Sequence, residues 1–142
     1  MIEPAAIGNV SDLSIGQQCT STVAIGEKEL SGFIALTGDT APLHTDSETA
    51  VRKGFAGRLA HGMLVGSFYS TILGCQFPGP NTVISRISLD MLKPVYIGDV
   101  LTYRVLVESI SEAVSSVRLA LSATNQHGHV VNKGMATCVF KP

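Results

Sequence analysis

The chain has 142 residues, 45% of them hydrophobic and 15% charged, with a net charge of -1. That length suits one domain, 1–142, with a real core and no room for a separate cofactor domain. A near-neutral charge without any basic run excludes nucleic acid or an anionic membrane surface as partner, and no window is long enough for a membrane span.

Met1 to Asp12 is acidic and mixed, lacking the basic start and apolar stretch of a signal peptide. Cys19, Cys75 and Cys138 contain no C-x-x-C pair and fit reduced thiols. Both features point to the cytoplasm, or to an organelle lumen after processing. So few charged residues leave more apolar area than one small surface covers, which predicts a subunit interface, most economically in a homodimer or higher homo-oligomer.

Gln17 to Ile25 alternates β-branched and small polar residues, as a strand near an edge would. From Glu27 to Thr37 the period changes: Leu30, Phe33, Ile34 and Thr37 recur at helical spacing, and Gly38 stands where a helix stops. His44 to Arg58 is polar and irregular, a surface flap in which Asp46 caps a short turn carrying Glu48, Ala50 and Val51. Phe55 is its one large apolar group, either a lid or a docking contact.

Ala60 to Leu73 is almost wholly apolar or small and Gly74 follows it, so the spacing predicts a helix apolar all round and therefore buried. Four strands follow, Thr82 to Met91, Val100 to Ile110, Ala113 to Asn125 and Val130 to Phe140, with turn chemistry at Gly98-Asp99 and His127-Gly128. One long helix followed by an antiparallel meander predicts an α+β fold, a sheet wrapped around a long central helix.

Thr37 to His44 carries the chemistry. Asp39 and His44 flank Pro42, which disfavours a helical conformation at Ala41 and should keep the loop extended and stiff. Both side chains can then face one water as an acid and base pair. The plainer alternative is that Asp39 accepts loop amides and His44 is a turn residue.

Gly62 opens the apolar helix, where an unpaired N–H at the positive dipole end can bind a developing oxyanion; close helix–sheet packing is a compatible role. His61 beside it reads as a partly buried structural histidine that fixes the loop. Ser70, about two turns into the helix, could bond a carbonyl one turn back or reach the site, and Ser67 competes with it. Among Arg52, Lys53, Arg58, Arg86 and Lys93, Arg58 stands near the helix start and is the cation worth testing against substrate phosphates.

His127 and His129 bracket a glycine at a hairpin and point to opposite faces or into solvent, with no third ligand nearby in sequence, so no metal site is expected. Phosphate-binding glycine loops and nucleophile elbows have no counterpart here, and no bound cofactor is expected.

These segments resemble the MaoC-like, or R-specific enoyl-CoA hydratase, family of hotdog-fold proteins, whose Asp-x-Asn-Pro-x-His loop precedes a His-Gly-Met/Leu helix start. The resemblance runs from Leu36 to Asp99 through Asp39, Pro42, His44, Asp46, Ala50, Phe55, His61, Gly62 and Met63. It ends in the turn Lys93-Pro94-Val95-Tyr96-Ile97-Gly98-Asp99. Ala41 departs from it, standing where the signature has Asn and removing an amide that could orient the water or the carboxylate.

The resemblance implies a hotdog homodimer in which a pantetheine arm enters a tunnel near the interface, with Asp39 and His44 at its end and Ser70 supporting the pair. It implies reversible hydration of a trans-2-enoyl thioester to the (R)-3-hydroxyacyl thioester by syn addition. Asp39 would act as base toward water and His44 as acid, or the reverse. The substrate itself brings coenzyme A or phosphopantetheine, so an acyl carrier protein is an alternative partner. A hotdog thioesterase and a non-catalytic thioester-binding module are the competing readings. Met63, Phe68, Tyr69, Phe77 and Met91 are the candidates for setting chain length.

Overall fold

The computed structural model describes residues 7–141, so the first half of the Met1 to Asp12 segment lies outside the described residues. Strand β1 (Gln18–Ala24) and helix α1 (Glu27–Thr37) form where their periodicities predict. Glu29 accepts the backbone N–H of Gly26 at the start of α1, and Gly38 closes it in the left-handed region at φ 75°. Two short helices follow, α2 (Pro42–Thr45) and α3 (Ser47–Arg52), the latter capped by the Asp46 carboxylate on the Glu48 amide.

The central helix, α4 (Gly62–Thr71), is shorter than expected and is not buried all round. It turns Leu64, Val65 and Tyr69 inward, while Met63 is 74% exposed and Ser67 and Ser70 are exposed. One sheet covers only one face of a helix, and apolar composition does not say how many faces have a neighbour. Nor does Gly74 stop it: Ile72–Gln76 widens into a π-type turn closed by the Phe77 N–H on the Ile72 carbonyl at 2.7 Å, which keeps Ile72 and Leu73 buried.

Strands β2 (Thr82–Met91), β3 (Val100–Ser111), β4 (Ser116–Thr124) and β5 (Val130–Phe140) complete an antiparallel sheet of order β1-β3-β4-β5-β2. Only β3, β4 and β5 make the expected meander. β2 leaves α4 on the β5 side and pairs there, so the chain crosses the sheet before β3 through the Lys93 to Asp99 segment. Periodicity sets each strand but not its neighbour.

Two tyrosines fasten α4 to the sheet. The Tyr103 hydroxyl donates to the Val65 carbonyl and the Tyr69 hydroxyl to Asn132 Oδ1, each at 2.7 Å, with the two rings edge to face at 4.9 Å. Cys19, Cys75 and Cys138 are free thiols, and burial pushes that of Cys138 up to about 11. Among the described residues no helix is long and apolar enough to cross a membrane.

Gly134 marks the tightest approach in the sheet: a Cβ there would stand 1.8 Å from the Ser88 carbonyl oxygen of the paired strand. Backbone cannot yield as a flexible side chain can. Gly134→Ala is expected to destabilise the fold by about 3 kcal/mol or more, the upper end for overpacking, because β2 must shift along its whole pairing. Chemical denaturation checks it; a loss below about 0.5 kcal/mol would mean that β2 slides freely.

Candidate active site

The loop after α1 is built from its own backbone. Gly38 turns the chain, the Thr37 hydroxyl accepts the Asp39 amide at 3.3 Å, and Asp39 Oδ1 accepts the Ala41 amide at 3.1 Å. Ala41 is extended (φ -51°, ψ 138°), as the residue before a proline should be. The extended stretch expected onward to His44 does not occur: Pro42, pre-set in φ, becomes the first residue of α2, so His44 rides on a helical turn.

The opposite wall comes from residues 59–62. Leu59 donates to the Leu43 carbonyl at 2.9 Å and Ala60 to the Val95 carbonyl at 2.7 Å, stitching this segment between α2 and the turn before β3. Asp99 holds that turn, accepting the Tyr96 amide and the Gln126 side chain.

His44 Nδ1 lies 2.8 Å from the Leu59 carbonyl. A carbonyl only accepts, so Nδ1 carries the hydrogen and Nε2 is left for the site. His61, 2% exposed, donates from Nε2 to the Asp39 carbonyl at 3.1 Å by the same logic. Its ring stacks on His44 with centroids 3.8 Å apart and touches Phe33 at 4.7 Å. The reading of His61 as the residue that fixes the loop fits this geometry, though it is buried rather than partly so. Its Nδ1 is buried without a hydrogen-bond partner among the described residues.

One ligating atom each from Asp39, His44 and His61 lies within 4.8 Å of the others, a spacing that one water can bridge. The same donors, two imidazoles and a carboxylate, are a set from which a divalent ion could be held. Beside them opens a cavity of about 390 Å³ whose walls include His44, Phe55, Gly62, Val65, Met91 and Asn132. Gly62 is the first residue of α4, with its amide at the helix N-terminus, and a Cβ there would press on Met91 at 3.4 Å. Donor amide, imidazole and mostly apolar wall together suit a polar head on an acyl chain.

The MaoC like domain family model matches residues 6–127. The chain belongs to the MaoC-like family. An (R)-specific enoyl-CoA hydratase from Aeromonas caviae is 32% identical over 90% of this chain and 96% of its own. A mitochondrial 3-hydroxyacyl-[acyl-carrier-protein] dehydratase from Arabidopsis thaliana is 30% identical over 96% of this chain and 82% of its own. The solved structure of an R-hydratase from Pseudomonas aeruginosa, unliganded, superposes with TM-score 0.86 at 33% identity, covering 94% of this chain and 86% of that one. The fold is the hotdog of these hydratases, and like them the chain is an enzyme of the hydratase and dehydratase class.

Within this MaoC-like frame the structure brings Asp39 and His44 together, sets His44 and Gly62 in one cavity wall, and leaves two expected residues apart. Ser70 lies on the exposed side of α4, eight residues and about 12 Å along the axis from Gly62. Ser67 donates to the Leu64 carbonyl at 2.6 Å. Arg58 is committed to Glu27 as an ion pair and reaches the His44 carbonyl at 3.4 Å, so it buttresses the loop and faces a neighbouring surface hollow with Ser47 and Tyr96. Of the five chain-length candidates only Met91 lines the cavity; Tyr69 and Phe77 are buried in the core, Phe68 packs on Tyr103, and Met63 faces outward. Phe55, the flap's apolar residue, does line it. Sequence reasoning missed Asn132, which faces inward in step with Ala136, Cys138 and Phe140 on β5.

Proposed function

We propose that the protein reversibly hydrates a trans-2-enoyl thioester to the (R)-3-hydroxyacyl thioester, without a bound cofactor. The observation that supports this most is that Asp39 and His44 offer side-chain atoms within 4.8 Å of each other while His44 and Gly62 line one largely apolar cavity. The Ala41 amide engages Asp39 Oδ1 and leaves Oδ2 to take a proton from water as its oxygen bonds to the β-carbon. His44, protonated at Nε2, gives a proton to the α-carbon, while the Gly62 amide meets the negative charge building on the thioester oxygen. Dehydration is the same path reversed. The opposite division of acid and base uses the same atoms.

The carrier is coenzyme A or a carrier-protein phosphopantetheine, and the working form is a homodimer. Leu36, 83% exposed beside the Asp39 loop, and Met63, 74% exposed next to Gly62, are the apolar surfaces that support pairing near the site. Crotonyl-CoA in buffer with EDTA tests the chemistry: the conjugated enoyl-thioester absorbance is expected to fall without release of free thiol. Thiol release would favour a thioesterase, and dependence on added metal would give the Asp39, His44 and His61 donors to an ion.

A further inference from the structure

Asn132 is a buried amide in an otherwise largely apolar wall. It is 1% exposed, and it lines the same cavity as His44 and Gly62. Asn132 faces inward in step with Ala136, Cys138 and Phe140 on β5 and pairs with buried Ala123, whereas Thr124 pairs with Val130, so Val131 is the extra residue of a bulge. A bulge breaks strict alternation and re-aims side chains, and here Val131 and Asn132 both line the cavity. Across the other strand Asn132 pairs with Met91, the residue that covers Gly62.

Its orientation is set from behind. The Tyr69 hydroxyl donates to Oδ1 at 2.7 Å. Burial first, and then neighbouring Tyr103, push the Tyr69 phenol well above its ordinary range, so it remains a donor. Oδ1 is thereby spoken for. Nδ2, with two hydrogens, is buried without a hydrogen-bond partner among the described residues. A buried donor without an acceptor is a standing cost that a matching ligand atom removes, and a leucine of the same shape would avoid it altogether.

We propose that Asn132 is a specificity residue whose amide N–H groups bind an oxygen on the acyl chain beyond the reacting carbons. The cavity then selects acyl thioesters bearing a carbonyl or hydroxyl oxygen over plain alkyl chains. This rests on the thioester reading above, adding to it the substrate class. Tyr69 acts as the positioning residue that presents the amide donor side first.

The test is equilibrium binding, by calorimetry, of saturated acyl-CoAs, which cannot be hydrated. The probes are hexanoyl-CoA and octanoyl-CoA and the same chains with one methylene replaced by a carbonyl at successive carbons beyond the β-carbon. In the wild type at least one oxo chain is expected to bind roughly tenfold tighter than its plain counterpart. In Asn132→Leu that order reverses, because the oxygen now enters an apolar wall. If every oxo chain binds the wild type more weakly than its plain counterpart, the amide serves a resident water or the core, and the inference is overturned even where the variant does not fold. An unchanged oxo-to-plain ratio in a folded Asn132→Leu overturns it equally. Absence of binding by any acyl-CoA removes the proposed function as well, whereas preference for plain chains removes only the inference.

Discussion

Asp39→Asn is expected to cut hydration of crotonyl-CoA by roughly 10²- to 10⁴-fold, the range for removing a positioned proton-transfer group. Asparagine keeps the size of the side chain and an Oδ1 that can still accept the Ala41 amide, so the turn between α1 and α2 should persist. What it loses is an oxygen able to take up a proton. Because Asp39 lies on the surface and supports no other element with its carboxylate, the melting temperature should stay within a few degrees of wild type. Affinity for a saturated acyl-CoA should also hold, placing the loss in kcat rather than in binding. Wild-type turnover in the variant would sink the assignment of Asp39; a loss of both fold and binding would return it to a structural role.

Local chemistry explains which parts of this site were legible in the sequence. Strands β2 and β5 and helix α1 begin and end where periodicity and caps place them, because Gly26, Glu29 and Gly38 act on immediate neighbours. Asp39, Pro42 and His44 lie within six residues, and Gly62 opens an apolar run, so each carries its meaning locally. The stack of His61 on His44, across seventeen residues, needed the Leu59 and Ala60 backbone bonds to bring the segments together. Asn132 was hidden for a stronger reason. Its phase with Ala136, Cys138 and Phe140 puts it on the inward face, but a polar side chain reads as solvent-facing, and the partner that holds it there, Tyr69, lies 63 residues earlier. The exposed side of α4 was misjudged because composition reports apolarity and not the number of partners.

The stacked geometry of His44 makes the second large expectation one about coupling. His44→Gln should lower turnover by roughly 10²- to 10⁴-fold as well, since a glutamine amide can still donate to the Leu59 carbonyl but cannot shuttle a proton. If Asp39 and His44 act in one transition state, Asp39 on the water and His44 on the α-carbon, removing the second partner after the first has little left to remove. The double variant Asp39→Asn/His44→Gln is therefore expected to be no more than about tenfold slower than the worse single variant. Multiplying losses, near the product of the two singles, would instead mean that the groups serve separate steps. Steady-state hydration of crotonyl-CoA by the three variants decides between these, with binding of hexanoyl-CoA as the check that the cavity is intact. Side-chain atoms of Asp39 and His44 within 4.8 Å of each other favour a single shared transition state.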